Sequence, residues 1–176
     1  EGPYVLVVHP SLGVNSVQEL IALAKSKPNS VDYASSGNGS AQHLVGALFC
    51  TVAGAPLSHV PYKGSSQAEA DVISGRVSYM VDSIPSALPK VQAGQVRALA
   101  TTGKRRFAAL PNVPTVLEAG IPYESTSWWG VIGPANLPST IVDKVDGLVA
   151  DAVGWVPGAV NRPAPAIWLS VRNSWS

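Results

Sequence analysis

The residues with the clearest chemical potential lie in one short stretch, YASSGNGSAQHL, residues 33–44. A strand-like start runs into small residues and then into the pattern of a first helical turn. Such a turn offers unpaired N–H groups and partial positive charge, and glycines let a ligand approach the backbone. A tight turn with no ligand is the alternative. The stretch predicts a carboxylate or phosphate site formed by Ser35, Ser36, Gly37, Asn38, Gly39, Ser40 and Ala41.

Further candidates follow other predicted strands, where α/β folds place their ligands. PYKGSS, residues 61–66, is a second small-residue loop before a helix. Its lysine could pair with a carboxylate or face solvent. An aspartate ends the strand VSYMVD and could accept from a ligand hydroxyl or ammonium, or cap the next turn. Of two adjacent tryptophans on one strand, one faces the core and the other could line a cleft. These added candidates are Tyr62, Lys63, Gly64, Asp82 and Trp128.

The established motifs for nucleotide binding and for serine hydrolases fit this stretch poorly. A Walker A loop needs Gly-Lys-Ser/Thr before its helix, and no lysine occurs between Lys27 and Lys63. The dinucleotide pattern GxGxxG has Gln42 in place of its third glycine. A hydrolase could use Ser40 as nucleophile, His43 as base and Asp82 as orienting acid. Its Gly-x-Ser-x-Gly elbow is missing, and Ser40 also matches a helix N-cap.

Composition restricts the partners. The net charge is +1 with no long basic run, so nucleic acid is not expected as a partner. Cys50 is the single cysteine, which rules out a disulfide within the chain. No apolar run reaches the roughly 18–20 residues of a membrane span, so no membrane insertion is expected. The start, EGPYVLVV, lacks a secretory-signal pattern and is typical of the middle of a protein. No cofactor or metal site is expected.

The surrounding elements alternate between short apolar strands and helices. YVLVVH, residues 4–9, is typical of a strand buried on both faces, and Asn15 or Ser16 can cap the helix that follows. This alternation predicts an α/β fold with a mainly parallel sheet. We expect the helix at 41–53 to bury an apolar stripe and residues 139–153 to form a further helix. Residues 154–176 show no periodicity. The expected stripe consists of Leu44, Ala47, Leu48 and Thr51 or Val52.

Five segments in order carry a resemblance. They are LVVHPSL…SVQELIALAKSKP, YASSGNGSAQHLVGALF, HVPYKGSSQAEADVISGRV, VDSIPSALPKVQAGQVRALATT and RFAALPNVPTVLEAG. Together they resemble the substrate-binding proteins of tripartite tricarboxylate transporters, the Bug receptor family, over residues 4–151. The resemblance implies a type II periplasmic-binding-protein fold. Residues 4–101 would form one complete central lobe, 102–153 the return segment of an incomplete second lobe, and 154–176 an irregular, non-native tail.

The resemblance also implies a function. A periplasmic receptor of this family closes two lobes on a small organic acid and presents it to membrane transporter subunits; it is not an enzyme. The loop matching residues 35–41 would hold the ligand carboxylate, largely through backbone N–H groups and bridging water. The loop matching residues 62–65, Asp82 and Trp128 would lie near the ligand. The hydrolase and an interaction module without a small ligand remain the alternatives.

Two departures from the family pattern qualify this expectation. The N-terminal part of a full-length member is missing, including its signal peptide and first glycine-rich loop. The last 23 residues do not resemble the family either. We interpret both as a truncated or frame-shifted gene product, which predicts exposed apolar surface and a cleft lacking one wall.

Overall fold

A computed structural model of the chain describes residues 2–27, 30–127, 131–134, 136–153, 160–161 and 168–169. The chain divides into two compact units. The larger unit is Pro3–Thr126, and the smaller combines Glu1–Gly2 with Ser127–Ser176.

The larger unit is an α/β layer structure. Its strands are β1 (Gly2–Val8), β2 (Asp32–Ser35), β3 (Ser58–Pro61), β4 (Tyr79–Ser83) and β5 (Arg97–Thr101). Its helices are α1 (Val17–Ser26), α2 (Ala41–Ala53), α3 (Ser65–Ile73) and α4 (Ile84–Gln92), with a short 3-10 helix at Pro10–Leu12. The strands lie in the order β3-β2-β4-β1-β5. This confirms the predicted α/β class.

The sheet is mixed rather than mainly parallel. β2 runs parallel to both β3 and β4, as predicted, but β1 runs antiparallel to β4 and to β5. The helix between two strands allowed the parallel prediction for β2, β3 and β4. The partners of β1 are distant in sequence, so no local pattern reveals their direction.

β1 is an interior strand of this sheet and is buried on both faces, as its continuous apolar run predicted. Tyr4, Leu6 and Val8 face one apolar cluster, and Val5 and Val7 face a second cluster on the other side of the sheet. Alternate side chains of a strand point to opposite faces, so one strand contributes to both clusters. The two clusters are the core of the unit.

α1 begins where the sequence predicted. The Ser16 hydroxyl accepts a hydrogen bond from the Glu19 N–H, and the helix ends at Ser26. Val17, Leu20 and Ala24 are buried, in agreement with the helical spacing of the apolar residues.

The predicted apolar stripe of α2 is wrong. Leu44 and Leu48 are 59% and 46% exposed, and the helix instead buries Gln42, Val45, Gly46 and Phe49. α2 is apolar on more than one face, so periodicity alone could not select the buried one. Packing against β2 and β4 decides it.

The smaller unit contains the predicted helix α5 (Ser139–Val153). The Ser127 hydroxyl donates to the Gly2 carbonyl at 2.9 Å. The prediction of an irregular tail at 154–176 lies mostly outside the described residues. Within it, Val160–Asn161 pairs antiparallel with Trp168–Leu169.

Candidate ligand-binding site

Three parallel strands end at one edge of the sheet, and each is followed by a helix. β2 ends at Ser35 before α2, β3 ends at Pro61 before α3, and β4 ends at Ser83 before α4. Ser35 and Pro61 are register partners. Helix N-termini carry partial positive charge and unpaired N–H groups. This edge therefore brings together most of the predicted site residues in a setting that favours an anion.

Three backbone N–H groups at the start of α2 have no acceptor in the part of the chain that the structure describes. They belong to Asn38, Ala41 and Gln42. The first N–H groups of a helix have no partner within the helix, which accounts for Ala41 and Gln42. Asn38 and Ala41 are exposed, so an anion in solvent can reach this part of the loop. An anion here would find oriented donors.

The other N–H groups of the loop are occupied and fix its shape. The Gly37 N–H donates to the Ser35 hydroxyl at 3.1 Å, and the Gly39 N–H donates to His43 Nδ1 at 3.0 Å. The Ser40 N–H donates to the Gly37 carbonyl. Rigid donors lose little freedom on binding, which favours affinity.

Gly37 is needed where two loops touch. Its φ is 136°, and a Cβ atom there would lie 3.1 Å from the Tyr62 carbonyl oxygen. Next to it, the Tyr62 N–H donates to the Ser35 carbonyl at 3.0 Å. The small residues thus serve a close backbone approach between loop 35–41 and loop 62–65, in addition to leaving room for an anion.

Loop 62–65 presents its backbone and Lys63 rather than the tyrosine. The Tyr62 hydroxyl donates to Asp71 Oδ2 at 2.7 Å, and burial together with this carboxylate raises the pKa of Tyr62 to about 12. Gly64 precedes α3 with φ 151° and supplies no side-chain cap. Lys63 is exposed.

Asp82 is buried beneath loop 35–41. Its Oδ1 accepts from Gln42 Nε2 at 3.1 Å and from the Ser83 N–H at 2.8 Å. Burial raises the pKa of this carboxyl, and the charge of Glu69 raises it further. Glu69 is paired with Lys90 at 2.5 Å.

The predicted hydrolase triad is not assembled. The Ser40 hydroxyl accepts from the His43 backbone N–H at 3.2 Å and so caps α2. The ring nitrogen Nδ1 of His43 accepts from Gly39, and the Asp82 carboxylate binds Gln42. The orienting acid and the base therefore do not meet.

Sequence reasoning missed two polar residues beside the loop, Gln42 and His59. The Gln42 amide lies between Ser36 and Asp82, and His59 Nε2 lies 2.7 Å from Ser35 Oγ. Both contacts join residues of different elements. From the sequence alone, Gln42 is only the residue that breaks the GxGxxG pattern, and His59 is only the first residue of a segment that carries the family resemblance, so neither is assigned to the site.

Trp128, the remaining predicted site residue, lies outside the described residues. Among those described, no cluster of three or more His, Cys, Asp or Glu side chains could hold a metal ion. Over the same residues, none of the helices combines the length and apolarity needed to cross a bilayer.

The family comparison decides which proteins this chain is related to. Residues 1–159 match the family described as "Tripartite tricarboxylate transporter family receptor", TctC. The chain belongs to this family. The match confirms the resemblance that the five sequence segments carried.

Relatives of known sequence agree. The chain is 38% identical over 153 residues to the UPF0065 protein of the tcbD-tcbE intergenic region of Pseudomonas sp. strain P51, covering 86% of this chain and 46% of that protein. It is 36% identical over 152 residues to BugT of Bordetella pertussis, covering 86% and 47%. The chain thus spans about half the length of these relatives.

Solved structures share the fold. An R. palustris protein, Rpa4515 with adipate, matches with a TM-score of 0.83 and 40% identity over 87% of this chain and 52% of that one. MatC from Rhodopseudomonas palustris with bound malate matches at 0.81 and 27%, over 86% and 52%. The periplasmic binding protein BugD matches at 0.82 and 28%, over 89% and 52%. These matches confirm the type II periplasmic-binding-protein fold for about half of such a protein.

Proposed function

We propose that this TctC-family chain belongs to a periplasmic solute receptor that captures a small organic acid and delivers it to the membrane subunits of a tripartite transporter. The observation that carries the proposal is the set of unpaired N–H groups of Asn38, Ala41 and Gln42 at the start of α2. Such groups bind carboxylates through charge-assisted hydrogen bonds. The chain binds its ligand without turnover.

The ligand class is a small di- or tricarboxylate. Adipate and malate, the ligands named for two similar structures, are both dicarboxylates. Residues 35–41 hold one carboxylate, with Ser35 and Gly37 shaping the loop. Lys63 and the uncapped start of α3 at Gly64 favour further negative charge nearby.

The remaining predicted residues complete the proposal. Residues 4–101 act as the central lobe, and residues 102–153 return toward the second lobe. Closure of the receptor on the bound acid excludes water from it. Asp82 does not bind the acid itself; its carboxylate accepts a hydrogen bond from Gln42 and so holds the start of α2 in place.

Thermal unfolding with and without acids tests the function. A ligand at about 100 times its dissociation constant adds roughly 2.7 kcal/mol, which raises Tm by a few degrees. Millimolar adipate, malate, citrate and an aromatic acid are compared with adipamide at equal ionic strength. We expect one class of acid to raise Tm and adipamide to leave it unchanged. Equal Tm values in all acids would contradict the proposal.

A substitution at Ala41 tests the N–H donors directly. Ala41→Pro removes one donor at the first helical position, where proline is well tolerated, and Ser40 already has the extended conformation that precedes proline. We expect ligand-free Tm to stay unchanged and the Kd for the acid to rise about tenfold to a hundredfold. Ala41→Ser keeps the N–H and is the control. Equal affinity of the two variants would rule out this donor.

A further inference from the structure

Gln42 bridges two separate parts of the site. It lies in the first turn of α2, is only 8% exposed, and uses both ends of its amide. Its Oε1 accepts from the Ser36 N–H at 2.8 Å, and its Nε2 donates to Asp82 Oδ1 at 3.1 Å. The side chain therefore joins the start of the ligand loop to a buried carboxylate on β4.

Both partners require the same orientation of this amide. A backbone N–H can only donate, so it needs the Gln42 oxygen; an ionised carboxylate can only accept, so it needs the Gln42 NH2 group. The Ser83 N–H donates to the same Asp82 oxygen at 2.8 Å and holds the carboxylate in place. A continuous series of hydrogen bonds therefore runs from Ser83 through Asp82 and Gln42 to Ser36, and it fixes the orientation of each group in the series.

We propose that the Gln42 side chain is a positioning group for the carboxylate site, holding loop 35–41 in the conformation that presents the unpaired N–H groups of Asn38 and Ala41. This side chain acts through Ser36 and Asp82 and does not touch the ligand; only the backbone N–H of Gln42 belongs to the proposed set of donors. The inference rests on the proposed function for its effect on binding. Its effect on the loop can be measured without any ligand.

Gln42→Glu tests the bridge because glutamate has the same shape and a proton that can be removed. In its protonated form the new carboxyl group can donate to Asp82 and accept from Ser36, as the glutamine amide does. In its ionised form it would place two carboxylates together, so the pair titrates as a unit with one pKa strongly raised. The charged groups facing Asp82 from the other helices are Glu69 on α3 and Lys90 on α4.

The binding experiment is a pH profile of the full chain with the acid found in the thermal screen. We expect Gln42→Glu to bind like wild type at pH 5.5 and on the order of tenfold to a hundredfold more weakly at pH 8.5. The wild type should show no such loss of affinity between these two pH values. Gln92→Glu is the control. It adds the same charge at the exposed last residue of α4, at the opposite end of that helix from Asp82, and its profile should follow the wild type. Parallel profiles for all three proteins would overturn the inference.

A second measurement separates this inference from the proposed function. Hydrogen-exchange protection of the Ser36 N–H, measured without ligand, should fall in Gln42→Glu between pH 5.5 and 8.5 and stay constant in Gln92→Glu. If protection falls but no acid binds the wild type, the bridge stands and the proposed function fails. If the wild type binds and protection is unchanged, the bridge fails alone.

Gln42→Met guards against a glutamate variant that does not fold. Methionine fills a similar volume and makes neither hydrogen bond. We expect it to lose Ser36 protection and acid affinity at both pH values. Wild-type protection and affinity in Gln42→Met would contradict the inference.

Discussion

Three aromatic rings stack behind loop 35–41. The His59 ring lies between Tyr33, at a centroid distance of 4.8 Å, and His43, at 4.1 Å. His59 Nε2 also lies 2.7 Å from Ser35 Oγ. Burial lowers the pKa of His59, and the neighbouring His43 lowers it further. The His59 ring thus supports Ser35, the residue at which loop 35–41 begins.

We predict that His59 makes the free energy of unfolding decrease as the pH is lowered. Its folded-state pKa is below the unfolded value of about 6.5, so the unfolded chain binds the proton more readily. Its contribution is therefore complete above the unfolded pKa and is lost as pH falls through the folded one. Free energies of unfolding from urea titrations between pH 5 and 8 should fall less steeply in His59→Gln than in wild type. His9→Gln is the control, and an unchanged slope in His59→Gln would refute the prediction.

At the scale of elements, α2 is fitted to the sheet at Gly46. A Cβ atom at this position would lie 2.6 Å from Cε2 of Tyr33 and 2.9 Å from its Cδ2. The tyrosine ring cannot retreat freely, because His59 and Tyr79 pack against it. The glycine therefore allows helix and strand to pack closely, in spite of its low helix propensity.

We predict opposite effects of alanine at two helical glycines. Alanine gains about 1 kcal/mol over glycine in a helix interior. At Gly46 overpacking should outweigh this gain and lower the free energy of unfolding by about 1–3 kcal/mol. At Gly147 in α5, where an added Cβ meets nothing within 4 Å, alanine should raise stability. Urea unfolding followed by far-UV circular dichroism measures both. A higher free energy of unfolding in Gly46→Ala would contradict this prediction and would show that the Tyr33 ring can move to make room for the methyl group.

At the scale of the whole molecule, β1 joins the two cores of the larger unit. Leu6 and Val7 are adjacent in sequence but belong to clusters on opposite faces of the sheet. β2 and β4 likewise contribute to both clusters, through Tyr33 and Ala34 and through Tyr79 and Met80. The unit Pro3–Thr126 should therefore unfold in a single cooperative transition.

We predict a large cost for a cavity in this strand. Leu6 is completely buried, so Leu6→Ala should lower the free energy of unfolding by about 2–5 kcal/mol. Leu117 is 41% exposed, and Leu117→Ala should cost much less. The NMR methyl signals of Leu20, in the first cluster, and Val72, in the second, should report the same urea midpoint for each variant. Separate midpoints would mean that the two faces unfold independently.

Local sequence determined much of this protein. Apolar runs located the strands, serine caps located the starts of α1 and α2, and the small residues of 35–41 located the helix start with its free N–H groups. Each of these features depends on residues within about one helical turn of each other. The five ordered segments also identified the family, since their order is a property of the chain itself.

Tertiary structure decided what depends on distant residues. The antiparallel direction of β1 and the buried face of α2 follow from packing on strands that no local pattern specifies. The Gln42–Asp82 bond joins residues 40 positions apart, and the Ser35–His59 contact joins residues 24 apart. Such contacts exist only after the sheet brings its strand ends together. The sequence thus determined where a helix begins with unpaired N–H groups, and the packed sheet decided which side chains hold that loop in shape.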